Sequence, residues 1–246
     1  MNYKTFGVVI KRTNYSEADR ILTVFTERLG KIKVMAKGVR KISSHLGGSV
    51  EPFNLVQFEL HEGKTFYILT GASIEKEFNP SQSLETTSKF FYLGELIDKF
   101  LEEGQKNAEL FCLFAEVLNN LSSPDNDFWM RVFELKLLQA TGFHPEFQEC
   151  IICRSSITPG GNYWHQGESG LMCGGCGDKS HEGKVVSDEV IKFFRYVCGR
   201  DFADLSRLKM AEDHRVEMAL ILGDYIESIL EKTLKTKRFL NECVRD

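Results

Sequence analysis

The chain has 246 residues, 42% of them hydrophobic, which is enough to build the cores of two modest domains. No stretch approaches 18 uninterrupted apolar residues, and residues 1–10 lack the basic start and apolar run of a secretion signal, so we expect a cytoplasmic protein. The net charge is −4, but residues 1–78 carry +4 and the remainder −8, which is typical of a basic binding module on an acidic body.

Five short runs of strand-forming residues come before any long helical pattern. They cover residues 6–12, 20–26, 31–36, 53–60 and 65–74. Gly30 and Gly63 suit the turns that follow the second and fourth runs. Five strands in about 75 residues leave open edges unless the sheet closes, so the pattern predicts a small barrel. The five-stranded OB-fold is the leading candidate and an SH3-like barrel is the alternative.

A polar break at residues 79–83 marks the change to helical periodicity. The predicted helices cover residues 84–103, 108–121, 125–141, 187–197 and 213–233. Residues 144–183 are rich in glycine and predict loops. We therefore expect an α+β multidomain protein, with an OB-fold barrel over residues 1–79 and a helical domain over residues 80–246 that carries an inserted segment at about 144–183.

Two CxxC pairs lie in this segment, and 19 residues separate Cys153 from Cys173. The four cysteines are Cys150, Cys153, Cys173 and Cys176. Thiolates two residues apart can bind one ion, and this spacing is typical of a zinc site with four ligands and no open position. We therefore predict one structural Zn²⁺. Gly174 and Gly175 are expected to let the second pair turn tightly around the metal.

Two other interpretations of the paired cysteines stay open at this point. One is a pair of redox-active CxxC motifs, and the other is that His165 or His181 replaces one cysteine as a ligand. The remaining cysteines, Cys112, Cys198 and Cys243, lie in helical patterns and are predicted to be small buried hydrophobic residues. An odd total of seven argues against a disulfide framework.

Residues 28–41 hold six basic residues and no acidic one. Lysine and arginine neutralise phosphates, while Gly38, within this run, and Ser43 and Ser44, after it, let backbone amides come close to the phosphates. OB-folds bind nucleic-acid strands across the face of their second and third β-strands and under neighbouring loops. The sequence therefore predicts a nucleic-acid surface, with a solvated charged loop as the alternative. The candidate residues are Arg12, Lys31, Lys33, Lys37, Arg40 and Lys41.

Several segments, in the same order along nearly the whole chain, resemble the RecO family of recombination mediators. In the amino-terminal part they are FGVVIKR at 6–12, YSEADR at 15–20, LGK at 29–31, AKGVRK at 36–41 and EPF at 51–53. In the body they are RVFELKLL at 131–138, TGFHP at 141–145 and CIIC at 150–153. The tail resembles the family's carboxy-terminal motif with KTKRFL at 235–240.

The resemblance implies a protein that binds single- and double-stranded DNA and anneals complementary strands. It implies interaction with the partner RecR and help in loading the recombinase RecA onto strands coated by single-strand-binding protein. It implies an OB-fold, a helical domain and a zinc-binding segment. Lys33, Lys37, Arg40 and Lys41 match the basic OB region associated with DNA. Arg131 and Lys136 lie on the helix that resembles the docking region for the tail of single-strand-binding protein.

The sequence also bears on other classes of function. It lacks the GxxxxGK[ST], GxSxG and HExxH patterns, so we do not expect an enzyme. Two alternatives to the DNA-binding mediator are a zinc-stabilised adaptor that binds only proteins and an RNA-binding OB-fold protein. A second basic group near the carboxyl end is either a further DNA-binding patch or favourable charge near a helix end. Its members are Lys232, Lys235, Lys237 and Arg238.

Overall fold

A computed structural model describes residues 1–78, 80–123, 126–180, 183–200, 202–205, 211–231, 234 and 236. The second basic group, His181 and Cys243 lie outside the described residues. The chain packs as two compact units. The first unit comprises Met1–Pro124 with Leu234–Asp246, and the second comprises Asp125–Thr233. No helix in the described part of the chain is long and apolar enough to cross a membrane.

The first unit begins with a closed five-stranded barrel. Its strands are β1 (Asn2–Asn14), β2 (Arg20–Thr26), β3 (Gly30–Ala36), β4 (Asn54–His61) and β5 (Tyr67–Glu77). They close in the order β1-β2-β3-β5-β4, and β1 pairs with both β2 and β4. The β3–β5 pairing is parallel, through Val34 with Tyr67 and Met35 with Ile68. This topology confirms the predicted OB-fold and rules out the SH3-like alternative.

The barrel interior is filled by the alternate, inward-facing residues of its strands. Val9, Val24, Val34, Val56 and Phe58 are all fully buried there. The β1–β2 register shifts between Val9 and Lys11, which places a bulge in the long first strand. Because a bulge bends its strand, β1 can pair on both sides and close the barrel.

Two α-helices follow the barrel in the first unit. They are α1 (Leu84–Phe100), whose N-terminus is capped by the Ser83 hydroxyl, and α2 (Ala108–Asn120), capped by the Asn107 side chain. Each cap accepts the backbone N–H of the residue three positions further on, which satisfies one of the N–H groups left free at a helix start. The structure ends α1 at Phe100, three residues before the predicted end. The reason is that Glu103 and Gly104 leave the helix to meet Lys31 of β3.

Phe53 joins the barrel to α1. Its φ is +65°, a left-handed conformation that is costly for an aromatic residue, and its backbone N–H donates to Val9 O at 3.0 Å. The buried ring meets Phe90 and Phe91 edge-on, at centroid distances of 5.4 and 5.0 Å. Gly94 gives the ring its space, since a Cβ there would lie 3.0 Å from Phe53 Cε1. The packing of this aromatic group therefore sustains the strained backbone.

The second unit is mainly helical, with a small sheet. Its helices are α3 (Asn126–Ala140), α4 (Gly174–Ser180), α5 (Asp188–Cys198), α6 (Phe202–Leu205) and α7 (Glu212–Leu230). The strands β6 (Asn162–His165), β7 (Gly170–Met172) and β8 (Lys184–Val186) form an antiparallel sheet in the order β7-β6-β8. The prediction of a loop-rich segment over 144–183 holds for most of its described residues, but the segment also contains β6, β7 and α4, which the sequence did not show. Strands of three or four residues are too short to show a period in the sequence.

The isolated cysteines differ from their prediction. Cys112 is exposed on α2, so its predicted burial is wrong. Cys198, at the end of α5, is half-buried, and burial raises the pKa of its thiol to about 11. Both residues lie in helical patterns, but such a pattern does not by itself show which face of the helix an isolated cysteine takes.

Candidate metal centre and nucleic-acid interface

The four paired cysteines converge on one point in the second unit. Their Sγ atoms all lie within 4.8 Å of one another, and Cys153 and Cys173 are 3.7 Å apart. A zinc ion held tetrahedrally by thiolates at about 2.3 Å needs sulfur atoms about 3.8 Å apart. The separations of the four thiols therefore fit a single tetrahedral ion.

The first cysteine pair is positioned by a tight turn. Cys150 N–H donates to Ser155 O at 2.8 Å, and Arg154 N–H donates back to Cys150 O at 2.9 Å. Arg154 takes a φ of +63° to close this turn. Ile151 N–H also donates to Leu171 O at 2.9 Å, which ties the turn to β7, the strand that leads into the second pair. The two pairs are thus held together by backbone hydrogen bonds as well as by any ion.

The second pair lies where β7 ends and α4 begins. Cys176 and Gly177 both donate their N–H groups to Cys173 O, at 3.0 and 2.9 Å. The glycine that this turn requires is Gly177, because a Cβ there would lie 2.0 Å from Cδ2 of the Tyr163 ring. A Cβ on Gly175 would meet nothing within 4 Å. A Cβ on Gly174 would lie 3.0 Å from Gly161 O, so of the two glycines emphasised from the sequence Gly174 is closely packed and Gly175 is not.

The thiols of the cluster differ in pKa. The Ser155 hydroxyl, 3.0 Å from Cys153 Sγ, and the Ser155 backbone lower the pKa of Cys153 to about 6. Hydrogen bonds to Cys153 and Cys173 raise the pKa of Cys176 to about 12. Four neighbouring thiolates repel one another, so complete deprotonation needs a cation at their centre. The donor set thus favours a thiolate-binding divalent metal.

The histidine alternative receives no support from the described residues. His165 lies at the end of β6, and its Nδ1 accepts a hydrogen bond from Glu168 N–H at 3.0 Å. It is not a member of the cysteine group. Convergence of four sulfur atoms also favours a metal site over the redox alternative, which needs only one pair.

Three of the cations predicted to bind nucleic acid are already paired within the first unit. Lys31 is only 12% exposed at its side chain and lies against Asp98 of α1, with its Nζ 2.5 Å from Asp98 O and 3.6 Å from the carboxylate. Burial lowers the pKa of Lys31. Lys33 pairs with Glu103 at 3.4 Å, and Arg12 pairs with Glu51. These residues hold the barrel to neighbouring segments, which reduces the positive charge they offer to a ligand.

The other three cations lie on the loop after β3. We call residues 37–45 the basic loop. Lys37, Arg40 and Lys41 are exposed there. In the described part of the chain neither lysine forms an ion pair, although the charges of both help to lower the pKa of Asp19. The basic loop is thus where a phosphate backbone would meet lysines that have no ion-pair partner among the described residues.

The basic loop is fastened to the turn between β1 and β2, residues 15–19, which we call the β1–β2 turn. Gly38 N–H donates to Asp19 Oδ1 at 2.8 Å, and Arg40 N–H donates to Ala18 O at 3.0 Å. Arg40 Nη1 donates to Ser16 O at 2.7 Å. The pKa of the Asp19 carboxyl is lowered, chiefly because the Gly38 N–H donates a hydrogen bond to it. The two segments therefore form one hydrogen-bonded surface at the end of the barrel.

Sequence reasoning missed the part played by the β1–β2 turn. It assigned the turn no role beyond its place in the resemblance, because a polar turn between strands is unremarkable by composition. A signal was present in Ser16 and Asp19, since serine and aspartate side chains typically bond to nearby backbone N–H groups. Sequence alone does not show that the N–H bound by Asp19 belongs to a loop 19 residues further on.

The two residues predicted to dock a partner lie on α3 of the second unit. Arg131 is 8% exposed, and its Nη1 lies 2.8 Å from the carboxylate of Glu134, which is fully buried. Lys136 is half-buried, and its Nζ donates to Arg200 O at 2.7 Å. Arg131 is thus an interior residue in this structure, and Lys136 is the more accessible cation of the two.

Known proteins match nearly the whole chain. The protein-family model "Recombination protein O N terminal" matches residues 1–78, and the family model "Recombination protein O C terminal" matches residues 81–238. The chain is 30% identical to "DNA repair protein RecO" of Desulforamulus reducens, over 99% of this chain and 95% of the relative. Relatives with the same description from Dehalococcoides mccartyi (99% and 97% covered) and Caldicellulosiruptor saccharolyticus (96% of each chain) are each 31% identical. The OB-fold barrel, the helical unit with its four-cysteine cluster and these matches together show that the chain belongs to the RecO family of DNA repair proteins.

Proposed function

We propose that this protein is a non-enzymatic recombination mediator that binds single- and double-stranded DNA and anneals complementary strands. With RecR as partner, it would help to load RecA onto strands coated by single-strand-binding protein, in the cytoplasm at the nucleoid. The observation that carries the proposal is an exposed basic loop fixed at one end of an OB-fold barrel in a chain of the RecO family. Annealing needs no bond chemistry, because screening of backbone repulsion and presentation of bases are sufficient.

The DNA would lie mainly against Lys37, Arg40 and Lys41. The two lysines have no ion pair among the described residues, so phosphates would not have to displace a carboxylate there. Lys33 and Arg12 are exposed enough to contribute at the edge of the surface, at the cost of their pairs with Glu103 and Glu51. We assign Lys31 a supporting role, because its buried Nζ is held by Asp98. The proposed DNA-binding domain is residues 1–79.

The ion at the cysteine cluster is proposed to be zinc, bound through Cys150, Cys153, Cys173 and Cys176. Four thiolate ligands at tetrahedral separations favour zinc and leave no coordination position for water or substrate. When bound, the ion would supply a structural crosslink between the turn at Cys150 and the end of β7. The segment at about 144–183 is then a zinc-binding insertion within the proposed helical domain, residues 80–246.

For single-strand-binding protein, the proposed docking element is α3. Its Lys136 has a side chain that a carboxylate of the acidic tail could reach, if the bond to Arg200 O were exchanged. Arg131 would act from within the unit by neutralising the buried Glu134 of the same helix rather than by touching the tail. Binding of RecR is proposed from family membership and is assigned to no residue.

The test is the rate of annealing of complementary DNA strands coated with the cognate single-strand-binding protein, with and without this protein and with no nucleotide added. A faster rate on coated strands is expected. A variant that carries both Lys37→Gln and Lys41→Gln is compared with the parent protein. It should keep its fold and lose most of the acceleration. An unchanged rate on both coated and bare strands, with folded and metal-loaded protein, would contradict the mediator function and favour a protein adaptor.

A further inference from the structure

Tyr15 opens the β1–β2 turn and is 61% exposed. The turn is closed on itself, since Tyr15 N–H donates to Asp19 O at 3.1 Å and Asp19 N–H donates to Ser16 Oγ at 3.3 Å. The backbone that carries this aromatic ring is therefore held in place while the ring stays in solvent. A single exposed ring is ordinary on a protein surface, so its neighbours decide whether it has a role.

The neighbours of the β1–β2 turn are the cations of the basic loop. The hydrogen bonds of Gly38 and Arg40 to residues 16, 18 and 19 hold the two segments together. Ile42, directly after Lys41, is fully exposed as well. One end of the barrel thus presents an aromatic ring and an aliphatic side chain beside cations that lack an ion pair among the described residues.

This combination suits a single strand of nucleic acid. A single strand offers phosphates to the lysines and unstacked base faces to an aromatic ring, and OB-folds bind such strands by this pair of interactions. In a duplex the base faces are covered by their neighbours, so a ring on a rigid turn would find only the backbone. The surface therefore matches single-stranded DNA better than duplex DNA.

We propose that Tyr15 is a base-stacking residue for single-stranded DNA, and that Lys37 and Lys41 neutralise adjacent phosphates. The inference rests on the proposed DNA-binding function and adds the preferred form of DNA and the residue that selects it. Because the turn is already closed by its own hydrogen bonds, little backbone freedom is lost when the ring stacks on a base.

The first experiment compares Tyr15→Ala and Tyr15→Phe with the parent protein. Binding of a labelled single strand and of a duplex of the same length is measured at several salt concentrations. Loss of one base–aromatic stack should weaken binding of the single strand roughly 5- to 150-fold in Tyr15→Ala. Tyr15→Phe keeps the ring and should stay within about twofold of the parent protein. Duplex affinity and the dependence on salt should hardly change, because no charge is removed.

A matched control is Tyr196→Ala, which removes a partly exposed tyrosine from α5 of the second unit and should leave DNA binding unchanged. Tyr15→Trp gives a second, local readout. The native Trp129 and Trp164 are only 8% and 2% exposed, so a bound strand cannot stack on them, and a change in emission relative to the parent protein would report on position 15. Addition of the single strand should quench that emission, and addition of duplex should not.

Three results would overturn the inference. One is a Tyr15→Ala variant that binds the single strand as the parent protein does. Another is Tyr15→Trp emission that stays constant at saturating single strand. The third is tighter binding of an RNA strand of the same sequence, which would change the occupant. Failure of the parent protein to bind any DNA would instead contradict the proposed function itself, so the two failures are distinguishable.

Discussion

Arg40 donates a hydrogen bond from Nη1 to the backbone oxygen of Ser16, at 2.7 Å, while its backbone N–H donates to Ala18 O at 3.0 Å. The side chain that sequence reasoning regarded only as a phosphate ligand also fastens the basic loop to the β1–β2 turn. Arg40 therefore differs from Lys37 and Lys41, because its removal would disturb the shape of the surface as well as its charge. Tests of charge alone are better made on the two lysines.

The first prediction concerns that charge. Replacing Lys37 and Lys41 together by glutamine should weaken binding to single-stranded DNA. It should also reduce the slope of log K against log salt by about 1.4, because each phosphate that is no longer neutralised lowers the slope by about 0.7. Fluorescence anisotropy at four salt concentrations measures both quantities. Lys64→Gln, an exposed lysine in the turn between β4 and β5, is the matched control. An unchanged slope in the double variant would place the DNA elsewhere.

The second prediction concerns the metal. Cys173→Ser should lose both the zinc content and the thermal stability of the protein, because three thiolates hold the ion less tightly and the crosslink is lost. Elemental analysis and calorimetry measure the two effects. Cys112→Ser removes an exposed thiol outside the cluster and should change neither. Full zinc occupancy in Cys173→Ser would refute the ligand assignment.

The third prediction concerns the close packing at Gly177. A methyl group there would meet the Tyr163 ring at 2.0 Å, so Gly177→Ala should destabilise the second unit by about 1–3 kcal/mol through overpacking. Gly175→Ala, in the same helix, meets nothing within 4 Å and should be neutral or stabilising by up to about 1 kcal/mol. Urea denaturation of the two variants compares them directly, and equal stabilities would show that the turn can relax.

The fourth prediction concerns pH. The pKa of Asp19 is lowered chiefly by the N–H of Gly38, so the unfolded chain binds a proton at a higher pH than the folded one. The stability from this bond is therefore present above the unfolded pKa of about 3.9 and is lost as pH falls through the lowered folded value. Titration of the Asp19 carboxyl by NMR should give a midpoint below that of an unfolded peptide. A midpoint at or above it would contradict the assigned bond.

The fifth prediction concerns the buried pair on α3. Glu134→Gln removes the charge that compensates Arg131, and breaking a buried pair in this way typically costs about 3–5 kcal/mol. Replacing both residues by apolar ones, Arg131→Met with Glu134→Leu, should recover most of that loss. Denaturation of the single and double variants gives the coupling between them. Loss of single-strand-binding-protein binding in a double variant of normal stability would contradict a purely supporting role for Arg131.

The fold was largely predictable because its signals are local. Strand formers, turn glycines and the need to close a sheet were enough for the barrel, and spacing alone found the four cysteines. The β6–β8 sheet was missed because its strands have three or four residues, below the length at which a period is visible. The sequence also predicted that Lys31 and Arg131 are accessible cations that bind ligands. Their burial depends on Asp98 and Glu134, and only the folded chain shows that these partners point inward.

The path of the chain has a consequence for fragment design. Leu234 is buried, and Thr236 bonds to Glu95 of α1 through its N–H and its hydroxyl, at 3.1 and 2.6 Å. The second unit is therefore an insertion within the first, and a cut after residue 124 would discard a portion of the first unit along with the second. An isolated barrel unit is better made by replacing residues 125–233 with a short flexible linker, so that the last residues can still reach Glu95.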